Sequence, residues 1–173
     1  LGISFGANFS SPFPNFKGWI SEYIVYSKAL NTTERILVEN YLGAKYNLAI
    51  PNDFYAYNPA HYHQLIGIGQ TSGGASATAL GDKITISNPS TLGVGDYLLV
   101  AHDGAGYQAN FTDVPAGSRY EQVWRADSYG SPGTVTITMD VNTNSLGSNN
   151  TLYTLLVDAD GVFATGATSC PGV

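Results

Sequence analysis

From Tyr62 onward the chain repeats one pattern: short runs with apolar residues at every second position, each closed by Gly, Asn or Pro. Period-two alternation puts the apolar side chains on one face of a strand, so this stretch is predicted to fold as sheet. The runs are Tyr62–Gly69, Lys83–Ser87, Tyr97–His102, Glu121–Ser128, Thr134–Val141 and Leu152–Asp158. Ser72-Gly73-Gly74, Gly93-Val94-Gly95, Asp103-Gly104, Ser131-Pro132-Gly133 and Gly147-Ser148-Asn149-Asn150 separate them, and these residue types suit turns. Six short strands not interleaved with helices predict a mostly β chain, a jelly-roll or immunoglobulin-like β-sandwich, and argue against a doubly wound α/β fold.

One helix precedes the strands. Asn31 is a good N-cap and Glu34 stands three residues on, as in a capping box. Apolar residues then recur at spacings of three and four through Val38, Tyr41 and Leu42; Asn47 suits a left-handed terminus and Pro51 forbids continuation. The spacing predicts a helix over 32–46. Before it, residues 17–27 alternate as a strand with apolar or aromatic residues on both faces, and a short strand is predicted over Gly2–Asn8. The strand's aromatic face is expected to cover Val38, Tyr41 and Leu42. Glu22, inside that strand, requires a partner such as Arg119, Arg125 or a backbone donor.

Composition bounds the setting. Of 173 residues only 12% are charged, half of the usual share. The surface must instead be built from the 15 Ser, 15 Thr, 13 Asn and 12 Tyr, as in extracellular β-modules. Net charge is −6 with no basic cluster, which argues against a nucleic-acid partner. No apolar run approaches the ~20 residues of a spanning helix, so no membrane insertion is expected. Leu1–Ser4 lacks the basic start of a secretion signal, as expected if the signal has been removed or the segment is internal to a longer chain. The single Cys170 excludes an internal disulfide.

Gly18–Tyr26, then Leu30, Glu34 and Tyr41-Leu42-Gly43-Ala44-Lys45-Tyr46, resembles the end of a concanavalin-like (laminin-G-like) jelly roll in very large secreted surface proteins of Bacteroidetes-type bacteria. Asn47 replaces the glycine usual there. Ile66–Gly69, Tyr97–Gly104, Val123-Trp124-Arg125 and Leu155–Gly161 resemble the all-β module that follows, although Gln70 stands where that pattern prefers a basic residue. The resemblance implies a jelly-roll end over 1–50, a linker over 51–61, a β-sandwich over 62–168 and the start of a downstream linker over 169–173. It also implies an extracellular, non-enzymatic structural or adhesion module whose partners are copies of itself or neighbouring domains of the same polypeptide. The second reading is a carbohydrate-binding module.

Tyr55, Tyr57 and Tyr62 fall in a tyrosine-rich stretch that could stack on glycan rings; rings pinning helix and linker to the sandwich are the plainer account. Asp158 and Asp160 form a short carboxylate loop of the kind calcium uses, though a type I turn needs the same residues and a full calcium shell needs 6–8 oxygens. No other cofactor is expected. His61 and His63, with His102 and Asp103, make a metal site only if the fold gathers them. No Gly-x-Ser-x-Gly elbow, phosphate loop or facing carboxylate pair supports catalysis. Asn8, Asn31, Asn110 and Asn149 each open an Asn-x-Ser/Thr triplet.

Overall fold

The computed structural model describes residues 18–57, 59–140 and 153–171. The strand expected at Gly2–Asn8 lies outside these residues. The fold is mostly β with a single helix, α1 (Thr32–Tyr46). Both α1 ends form as their residues dictate. The Asn31 side chain accepts the Glu34 N–H at 2.9 Å, and the Glu34 carboxylate accepts the Asn31 N–H at 3.0 Å. Asn47 closes the helix in the left-handed region at φ 51°.

The strands are β1 (His63–Thr71), β2 (Gly74–Ser76), β3 (Ala79–Leu80), β4 (Ile84–Ser87), β5 (Tyr97–His102), β6 (Ala109–Asn110), β7 (Arg119–Tyr120), β8 (Trp124–Tyr129), β9 (Thr136–Met139), β10 (Thr154–Val157) and β11 (Thr168–Pro171). Among the described residues every pairing is antiparallel. One sheet has the order β2-β1-β5-β8 and a second the order β3-β4-β9; β6–β7 and β10–β11 form two-stranded ribbons.

β5 is buried along its whole length because both of its faces are covered. Tyr97, Leu99 and Ala101 share one core with Ile36, Ala44, Tyr55 and Leu65, on the helix side. Leu98 and Val100 point the other way and share a second core with Ile68 of β1 and with Ile84 and Ile86 of β4. The result is a β-sandwich with a helix seated on its outer face, three layers in all. Glycines in β1 admit the helix. A Cβ on Gly67 would lie 2.9 Å from the Leu98 carbonyl oxygen and 3.0 Å from both Leu37 Cδ2 and Leu99 Cγ.

Two expectations change here. The helix turns Thr33, Ile36, Asn40, Gly43 and Ala44 inward, against β1 and β2, while Val38, Tyr41 and Leu42 are half-buried. The helix therefore shares its core with the sheet. Residues 18–27 form neither strand nor helix, and no described strand pairs with them. An alternating apolar pattern becomes a strand only through a ladder partner. Trp19 is 99% exposed, and Ile20, Tyr23, Ile24, Val25 and Tyr26 are exposed as well. The segment meets the helix through Glu22, whose carboxylate accepts from Lys45 Nζ and Tyr46 Oη at 2.9 Å and from Tyr41 Oη at 3.1 Å. The partners of Glu22 are thus helical and not Arg119 or Arg125. The Lys45 ammonium and the two phenols hold its carboxyl below the usual range.

Candidate functional site

Residues 53–57 run as a strap over the helix-side face of β8. Buried Asn40 fixes the start of the strap: its Nδ2 donates to the carbonyls of Ile36 (2.9 Å) and Asn52 (2.7 Å), and its Oδ1 accepts the Phe54 N–H at 2.8 Å. Phe54 stacks on Tyr97 at 4.2 Å and tilts against Tyr129 at 4.8 Å. The Ala56 N–H donates to Asp127 Oδ2 at 2.7 Å. Tyr57 then lies under the Arg125 guanidinium, 5.4 Å from its ring centre. Tyr97 opposes Tyr129 and Leu99 opposes Asp127 in the β5–β8 register, so Tyr129, Asp127 and Arg125 share this face.

The three tyrosines singled out from the sequence meet different fates. Tyr55 is a core ring, 1% exposed, whose hydroxyl is buried without a partner among the described residues; burial raises its pKa. Tyr62 is half-buried and stacks on His63 at 4.1 Å. Of the three, only Tyr57 is exposed.

The fold does bring histidines together. His63 pairs across the ladder with His102, their rings 5.5 Å apart, and His102 lies 4.7 Å from Trp124. The Gly104 N–H donates to His102 Nδ1 at 3.0 Å. A neutral ring whose Nδ1 accepts carries its proton on Nε2, and that buried nitrogen has no partner among the described residues. Among the described residues no three His, Cys, Asp or Glu side chains are placed to hold a metal. Burial lowers the pKa of His102, with His63 adding to the effect; burial and then Arg125 lower that of His61.

The Asp158–Asp160 loop uses the Oδ1 of each carboxylate internally. Asp158 Oδ1 accepts the N–H groups of Asp160 (2.8 Å), Gly161 (2.6 Å) and Val162 (3.2 Å), and Asp160 Oδ1 accepts that of Val162 at 2.9 Å. The loop carbonyls of Ala159 and Asp160 face Arg125, at 3.5 and 3.4 Å.

The arrangement that sequence reasoning missed is a cleft of about 340 Å³ at the start of the strap, lined by Asp53, Phe54, Ala56, Asp127, Ser128 and Tyr129. Phe54 sits within the tyrosine-rich stretch, a signal that could have flagged one wall. The other wall comes from 71 residues away, and no local pattern reports it.

These features define a β-sandwich module with a strapped helix and an open aromatic cleft at the edge of one sheet. The chain belongs to the family described as a domain of unknown function, DUF8202, which it matches over residues 34–171. That match runs from the first turn of α1 through the strap and both sheets to β11. No curated protein and no solved structure matches the chain.

Proposed function

We propose that this chain is a non-enzymatic structural or adhesion module of a large bacterial surface or filament-forming protein, working outside the cell. The observation that carries this reading is the segment 19–26, where six of eight consecutive residues are large, apolar and exposed. Contiguous exposed apolar surface marks an interaction site. An alternating segment of this kind suits strand addition, in which main-chain hydrogen bonds supply affinity and alternate side chains supply register. Copies of the chain or neighbouring domains of the same polypeptide are the partners it fits. The concanavalin-like resemblance of residues 18–46 and the hydroxyl- and amide-rich surface support the extracellular setting.

Sedimentation velocity tests it. Self-association that rises with concentration and is lost in a Trp19→Ser/Ile24→Ser/Val25→Ser variant is expected if copies are the partner. A wild-type chain that neither self-associates nor binds the neighbouring domains of its parent polypeptide would overturn the reading.

The second reading, a carbohydrate-binding module, is favoured by exposed Tyr129 beside Asp127. With the Asp158 loop engaged by Arg125, its glycan binding is expected to survive EDTA on an array.

A further inference from the structure

The cleft at the start of the strap has a more specific use, which rests on the carbohydrate reading. We propose that it is a binding site for an uncharged pyranose unit, with Tyr129 as the stacking ring and Asp53 and Asp127 as hydroxyl acceptors.

The aromatic wall is preformed. Tyr129 is 57% exposed, yet it leans on Phe54, which in turn stacks on buried Tyr97. The Phe54 backbone is tied to buried Asn40. A ring held this way loses little freedom on binding, which is where a weak ligand gains most. The apolar face of a pyranose covers such a ring while its hydroxyls stay at the edge.

The acceptors are preformed as well. Asp53 Oδ1 accepts the Tyr55 N–H at 3.2 Å, and Asp127 Oδ2 accepts the Ala56 N–H at 2.7 Å. Each carboxylate is thus oriented through one oxygen, and the other has no protein donor among the described residues. Sugar hydroxyls are donors that match these free oxygens. The cleft is at the small end of ligand sites, with room for one ring and part of a second.

The lining also sets what is refused. It contains two carboxylates and no Lys, Arg or His, on a chain of net charge −6. Uronic and sialic acids would meet unpaired like charge, so the site selects against them.

The test is an NMR titration of the 15N-labelled chain with maltose, cellobiose, mannobiose, lactose, glucuronate and butylammonium, run beside a glycan array. At least one neutral disaccharide should shift the amides of Asp53–Ala56 and Ser128–Tyr129, and glucuronate should not. Tyr129→Ala and, separately, Asp127→Asn and Asp53→Asn should each weaken binding about tenfold, with circular dichroism confirming the fold. Array binding that persists in all three variants overturns the cleft but leaves the carbohydrate reading standing. An array without any hit removes both. Shifts at the cleft from butylammonium alone, suppressed by salt, make it a cation site and overturn the saccharide assignment.

Discussion

The guanidinium of Arg125 faces the backbone carbonyl of Asp160 at 3.4 Å while its other side covers the ring of Tyr57. One side chain thereby joins the strap, β8 and the loop between β10 and β11. Arg125→Met should free that loop. The long bonds involved set the loss at about 1 kcal/mol, below the usual range for a charged donor. Amide hydrogen exchange should show faster exchange confined to 154–171, with β1 and β5 unchanged. Millimolar calcium should leave the melting temperature of the wild-type chain where it was; a rise of several degrees would establish the Asp158 loop as an ion site.

Asn40 is the polar residue on which the helix–strap junction depends. It is 1% exposed and makes three hydrogen bonds, to Ile36, Asn52 and Phe54. Asn40→Leu leaves the part-buried Phe54 N–H and Asn52 carbonyl without their partner, which costs about 1–2 kcal/mol. Urea unfolding should show that loss as a lower midpoint at unchanged slope. An effect below measurement error would mean that the strap is held elsewhere.

The helix can sit where it does because β1 carries no Cβ at Gly67. Gly67→Ala would set a methyl against the Leu98 carbonyl and against Leu37. Backbone cannot yield as a flexible side chain does, so overpacking of about 1–3 kcal/mol is expected. The companion variant Leu37→Ala should recover part of it, since it removes one of the three contacts. Additive losses in the double variant would count against the close approach.

Acid should weaken the fold in two separate windows. His61 and His102 have folded-state pKa values below the ordinary one of about 6.5. Such groups bind protons more readily when unfolded, so stability falls as pH drops through the unfolded value toward the folded one. Charging His102 also sets it against His63, with Asp103 giving partial relief. The carboxyls of Glu22, Asp113 and Asp158 are lowered and contribute stability that is lost only further down, as pH falls through their folded values. The melting temperature should therefore decline between pH 7 and 5, and His102→Asn should flatten that decline without moving the lower window.

Much of the fold was legible in the sequence because it is local. The capping box at Asn31 and the left-handed Asn47 fix the helix at Thr32–Tyr46, as the spacing predicted, and β5 runs from Tyr97 to His102, as its apolar run implied. The two-residue strands β3, β6 and β7 are too short to show any period. Residues 18–27 mislead for the opposite reason: they have the composition of a strand, but pairing is a property of a neighbour. The tyrosine cluster was visible, yet the side on which each ring lies depends on a register set from β5 and β8. Asp127 and Tyr129 carried no mark of a site, since their role depends on a strap that returns to them across the sheet.

The central place of β5 has a consequence for how the chain is made. The helix ends at Tyr46, and the sheet face it covers is not complete until β5 ends at His102, 56 residues later. At translation rates of ~5–20 residues per second, a growing chain presents the helix for several seconds before β5 exists. A 15-residue helix alone is marginal in water and relaxes within about a microsecond. During synthesis Ile36 and Ala44 thus flicker in and out of a helix before their core partners Leu99 and Ala101 exist, in a stretch that follows exposed Trp19 and Ile24. The nascent segment 19–46 is a stretch on which a holdase would act before the sheet is made.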